Sequence, residues 1–138
     1  MDNPKTCTLK LIGRVLLSII FIVAGWGKIA GFEGTALYVA TALPFPEVIT
    51  ALVIIIELGG GLMLLLGWKT KFAAWTLAIF TLAAAGIFHS NLADPMQSGQ
   101  FMKNLAIAGG MLYVAAVGAG RYSLDTRLGK KKAAAPTA

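Results

Sequence analysis

The sequence predicts an all-α membrane protein, a four-helix transmembrane bundle with a short interfacial helix in its first outer loop. Three observations carry this expectation. Hydrophobic residues fill 57% of the 138 positions and charged residues only 13%, against about a quarter charged in an ordinary soluble domain. The apolar residues gather into four runs near the ~18–20 residues that a helix needs to cross a hydrocarbon core. Arg14 apart, the Lys and Arg residues lie at the ends of the runs or between them. Inside a bilayer the backbone groups must pair within their own segment, so runs of this kind are helices.

The first span runs from about Leu9 to Ala30. Its core is longer than a signal-peptide h-region and no A-x-A-like site closes it, so it is expected to stay in the protein. Arg14, Ser18, Phe21, Gly25 and Lys28 follow one another at steps of four and three, which places them on one stripe of a helix. The other positions are mostly Leu, Ile and Val, suited to lipid. The next segment, FEGTALYVATALP (32–44), repeats apolar residues at Phe32, Ala36, Val39, Ala40 and Leu43, the spacing of a helix lying in the interface.

The second span, about Pro46 to Leu66, carries a single mid-run carboxylate, Glu57. Glu57 shares a face with Val53, Ile54, Gly60, Gly61 and Leu64, and small residues let membrane helices approach closely. The tight GWKTK turn makes the third span, about Phe72 to Phe88, an antiparallel neighbour of the second. SNLADPMQSGQ reads as a polar loop because of its Pro and Gly. The fourth span is about Met102 to Gly118 and opens on Lys103 and Asn104. Residues 1–128 form one domain, and the Lys- and Ala-rich segment 129–138 is expected to be a disordered tail.

Charge sets an expected orientation. Four spans put both termini and the GWKTK turn on one side, with Lys5, Lys10, Lys69, Lys71, Arg121 and the 127–132 cluster. The other side has only Lys28 and Lys103, with Glu33, Glu47 and Asp94. The positive-inside rule puts the termini in the cytoplasm. Trp68 and Trp75 would mark the inner boundary and Trp26 the outer one. The net charge of +6 does not indicate nucleic acid, because no stretch interleaves aromatics with basic residues as a base-stacking surface does. The tail RLGKKK suits anionic headgroups instead.

Several chemistries are excluded. With Cys7 alone there is no disulfide framework, CxxC pair or thiolate metal site. With His89 alone there is no metal or haem site built on two imidazoles. GWGKIAG (25–31) lacks the spacing and preceding strand of a dinucleotide-binding turn.

The membrane-embedded polar residues are the candidates for function, since an ionisable group at a helix centre costs about 2.5–3.5 kcal/mol and normally has a partner. Depth counted at ~1.5 Å per residue favours Arg14 over Lys28 as the partner of Glu57, and Arg binds a carboxylate with two donors. A structural Arg14–Glu57 pair is therefore the preferred reading, ahead of a proton-linked one. At the outer end, Lys28, His89, Lys103 and Asn104 form a candidate ligand site. The bland alternative is that the lysines snorkel and the histidine caps its helix. Converging, the four would suit a small anion or a quinone headgroup. No catalytic residue is assigned and no metal is expected.

The ordered set RVLLSIIFIVAGWGKIAGFEGT (14–35), ELGGGLMLLLGWKTK (57–71), His89 and FMKNLAIAGGMLY (101–113) resembles the DoxX-like small inner-membrane proteins of bacteria. The resemblance covers all but the first residues and the Lys-rich tail. It implies the four-helix membrane fold, the inner membrane as location, and a link to quinone-dependent oxidation, with Arg14, Lys28, Glu57, Lys103 and Asn104 at the family's recurring polar positions. A membrane subunit of a quinone-linked oxidoreductase is thus the first expectation, with a quinone as cofactor. A non-catalytic scaffold or assembly protein is the second. A small-solute transporter ranks third, for want of repeats or broken helices. Beside the lipid bilayer, the partners considered are oxidoreductase subunits and a second copy of the chain.

Overall fold

The structure, a computed structural model, describes residues 3–133. Six helices account for most of it: α1 (Pro4–Ala30), α2 (Phe32–Ala40), α3 (Pro46–Leu66), α4 (Thr70–Phe88), α5 (Pro95–Val117) and α6 (Leu124–Ala133). Among the described residues there is no strand. The four long helices make the expected bundle. α1 packs on α3 and α4 on α5, and α3 against α4 joins the two pairs. α1, α3 and α4 are long and apolar enough to cross a membrane. α5 is as long, but carries Gln97, Ser98, Gln100, Lys103 and Asn104 in its first turns.

The predicted stripe of α1 faces inward. Arg14, Ser18, Phe21 and Gly25 are buried and Lys28 is half-buried. The opposite stripe, with Leu9, Ile12, Leu16, Ile19, Val23 and Trp26, is exposed and is the surface that lipid would cover. The glycines set the interhelical approach. A Cβ on Gly25 would lie 2.7 Å from Leu58 Cγ, and one on Gly61 would lie 2.9 Å from Ile22 Cγ1 and 3.2 Å from Phe21 Cβ. α3 meets α4 the same way, with Gly60 against Leu77. The core then runs through Leu64, Ala74, Leu77, Ala78, Met111, Val114 and Ala115.

Helix ends follow local chemistry. Asn3 accepts from Lys5 N–H, and Asp94 accepts from Met96 N–H ahead of Pro95, as N-caps do. α3 ends on Gly67 at φ 68°, with Gly67 N–H donating to Leu64 O and Trp68 N–H to Met63 O, the paired bonds of a Schellman ending. α4 is capped from far away: both carboxylate oxygens of Asp125 accept, from Lys69 N–H at 2.7 Å and from Thr70 N–H at 2.9 Å.

Three boundaries differ from the expectation. α1 begins at Pro4, five residues before the predicted start at Leu9. α5 begins at Pro95, so Pro95–Gln100 belongs to a helix and the loop is shorter than the polar run implied. α6 extends helix through residues 129–133, where a disordered tail was expected; residues 134–138 lie outside the described part. The interfacial helix is present as α2, with Ala36 and Val39 buried beside the first turns of α3.

A candidate ligand cavity and an arginine clamp

The glycine contacts fix the register of α1 against α3. Position 25 is level with 58, and positions 21–22 are level with 61. Glu57 therefore lies within a turn of Lys28 and about 18 Å along the helix from Arg14. Lys28 Nζ is 2.8 Å from Glu57 Oε2 and 3.0 Å from Oε1. The expected Arg14–Glu57 pair is not formed. The depth count failed because it gave both spans the same two boundaries. In the fold, α1 starts well before the level at which α3 ends, and α3 starts beyond the level at which α1 ends, beside α2.

Arg14 has another task. It is 2% exposed, and its guanidinium donates from Nη1 to Ala119 O at 2.5 Å and from Nη2 to Tyr122 O at 2.7 Å, with Leu65 O at 3.5 Å. These carbonyls belong to the last turn of α3 and to the 118–123 turn after α5. Such groups lack partners inside their own helices, and an arginine with several fixed donors satisfies more than one at once. Gly67 makes room: a Cβ there would lie 2.7 Å from Arg14 Nη1.

At the α2 end, the long helices and α2 enclose a cavity of about 280 Å³. Its walls include all four residues of the candidate outer-end site, Lys28, His89, Lys103 and Asn104, together with Glu57. The apolar part of the wall comes from Ile20, Phe21, Phe80, Ala84, Phe88 and Ile107. Lys28 does not snorkel outward, because the carboxylate holds it. His89 ends α4, its N–H donating to Ala85 O, and its Nδ1 lies 3.0 Å from Gln97 Oε1. With the amide oxygen as acceptor, Nδ1 carries a proton. Among the described residues, neither Lys103 nor Asn104 uses its side chain in a hydrogen bond or ion pair, so both offer donors to a ligand.

Four polar wall residues escaped the sequence reading: Thr35, Tyr38, Thr81 and Gln100. Thr81 is buried and its hydroxyl has no hydrogen-bond partner, a cost that a ligand oxygen would remove. A signal for it was present, because Thr81 continues the Ala74, Leu77, Ala78 and Ala85 face of α4. Tyr38 was hidden in the interfacial segment; it stacks on Phe88 with ring centroids 5.2 Å apart and so ties α2 over the cavity.

The DoxX family model matches residues 9–90. The chain belongs to the DoxX family. This DoxX protein is 49% identical over 121 residues to inner membrane protein YqjF of Escherichia coli, covering 88% of this chain and 92% of the relative. It is 33% identical to inner membrane protein YphA of the same organism, over 86% of this chain and 89% of that one. A weaker likeness, 27% identical over 91% of the chain, is to a surfeit locus protein 4 homolog of Schizosaccharomyces pombe, of which it spans 39%. No solved structure matches. The DoxX match takes in Lys28, Glu57 and His89 and ends before Lys103 and Asn104, which α5 brings to the same cavity.

Proposed function

We propose that this integral membrane protein of the DoxX family is an inner-membrane subunit of a quinone-linked oxidoreductase, with a quinone headgroup held in the α2-end cavity and both termini in the cytoplasm. The single observation that carries the reading is the cavity itself. It combines apolar walls with unengaged donors at Lys103 and Asn104, a buried unpartnered hydroxyl at Thr81 and the ionisable side chains of Glu57 and His89. A volume of about 280 Å³ suits one ring headgroup, near the lower bound of small-molecule sites, and leaves an isoprenoid tail in the lipid.

A bound quinone would supply two-electron redox chemistry, with electrons delivered by a partner subunit. This chain's residues would bind and position it. The Lys103 ammonium and the Asn104 amide would donate to its oxygens, and the Thr81 hydroxyl would offer a third contact. Phe80 and Phe88 would shield it from water. His89, and Glu57 held by Lys28, stand where protons can be exchanged with the site. The location rests on the two inner-membrane relatives, and the orientation on the positive-inside distribution.

A quinone titration tests the reading. Purified protein in lipid nanodiscs is titrated with short-tailed benzoquinone and naphthoquinone, and co-purifying quinone is extracted and quantified. Lys103→Ala and Asn104→Ala are expected to weaken binding at least tenfold while leaving the melting temperature in place. Equal quinone retention by the wild type and the Lys28, His89 and Lys103 variants would sink it. One observation favours the scaffold reading: Lys28 and Arg14 both find partners inside the chain. The same titration separates the two, since a scaffold binds no quinone.

A further inference from the structure

At the opposite end of the bundle a larger, open crevice of about 950 Å³ lies where α1, the start of α4, the 118–123 turn and α6 meet. Five basic side chains line it, Lys10, Lys69, Lys71, Arg121 and Lys130, against one carboxylate, Asp125. That carboxylate is engaged by the Lys69 and Thr70 amides. We infer that this crevice is a binding site for the phosphate group of an anionic phospholipid.

The site is built, and is more than a solvated cluster of lysines. Gly118 and Gly120 both have φ 76°, a conformation that suits glycine, and the turn between them is held from beneath by the Arg14 donor to Ala119 O. The stems of two lysines lie along that turn. A Cβ on Gly120 would lie 3.2 Å from Lys10 Cβ and Cδ, and one on Gly118 would lie 3.6 Å from Lys71 Cε. Buried Arg14 therefore positions the turn against which Lys10 and Lys71 are laid. The wall also holds Thr70, 1% exposed, whose hydroxyl is buried without a hydrogen-bond partner, a donor that a phosphate oxygen would satisfy.

Two features select a lipid over a soluble phosphate. The crevice sits where α3 ends, α4 begins and α5 ends, the part of a spanning bundle that would meet lipid headgroups, with Trp68 exposed beside it as interfacial aromatics are. Its wall also includes Phe72 and Val117. Phe72 is 64% exposed and would lie against an acyl chain leaving the crevice.

The test uses full-length protein in detergent, with lipid retention read by native mass spectrometry and melting followed as lipid is added. Phosphatidylglycerol and phosphatidic acid are compared with phosphatidylcholine and with inorganic phosphate. The two anionic lipids are expected to be retained and to raise the melting temperature, whereas phosphatidylcholine is not. Each basic residue near the site contributes about a fivefold effect on affinity, so the double variant Lys10→Gln/Lys71→Gln is expected to bind about thirtyfold more weakly. Lys103→Gln, a charge removal at the other end, should leave retention unchanged. Melting without added lipid confirms that the double variant folds. Should this be lost, the exposed single variant Arg121→Gln replaces it, with about a fivefold weakening expected. Undiminished retention in the crevice variants overturns the assignment. Equal stabilisation by inorganic phosphate overturns the lipid as the source.

Discussion

Removing one partner of the Lys28–Glu57 pair tests the central electrostatic feature of the bundle. Glu57 is 7% exposed and Lys28 28%, with Nζ within 3.0 Å of both carboxylate oxygens. Lys28→Met keeps the side-chain length and strands a buried carboxylate. Breaking a buried pair in this way costs about 3–5 kcal/mol. The deficit of Lys28→Met is therefore expected to be about 3–5 kcal/mol at pH 7. Lys28→Met/Glu57→Met leaves no stranded charge and should recover most of the loss. The assay is reversible unfolding in mixed micelles by a denaturing detergent, followed by circular dichroism, as a double-mutant cycle. A coupling energy below about 1 kcal/mol, or a double variant no more stable than Lys28→Met, would refute the argument. The same cycle on Arg14 and Glu57 should be additive, since the two lie about three turns apart.

Two further predictions concern packing and the clamp. Arg14→Met strands carbonyls at Ala119 and Tyr122 and is expected to cost about 3–6 kcal/mol, at about 1.5–3 per hydrogen bond to a charged donor. Arg14→Lys should restore less than half, because one ammonium cannot reproduce a fork reaching two separate carbonyls. Gly25→Ala forces a Cβ to within 2.7 Å of Leu58 Cγ and is expected to destabilise by about 1–3 kcal/mol. Gly59→Ala, next to Gly60 but with nothing within 4 Å, should be neutral or stabilising by up to about 1 kcal/mol. Thermal melts of the two alanine variants decide it, and equal effects would show that the Gly25 contact does not set the helix approach.

Much of this was legible in the chain. Composition and run length determined the class of fold, because a bilayer leaves helices as the spanning solution. The 4-3-4-3 stripe identified the buried face of α1, and apolar spacing identified α2. The candidate cavity residues Lys28, His89, Lys103 and Asn104 were legible as a set, since each is polar near the same ends of their spans. Asp94–Pro95 was a readable helix start that the surrounding polar loop residues masked, and α6 was masked by its charge.

The partner of Glu57 was not legible, for a physical reason. Sequence periodicity gives rotation about a helix axis; it carries no information about sliding of one helix past another. That offset is decided by contacts such as Gly25 on Leu58 and Gly61 on Phe21 and Ile22, and it gave Glu57 to Lys28. The offset left Arg14 beyond the end of α3, free to collect carbonyls where α3 ends and in the turn after α5. Asp125 capping α4 from 55 residues away is of the same kind. Local pattern determined which face each residue occupies; only tertiary packing decided at what height the faces meet, and so which charges pair.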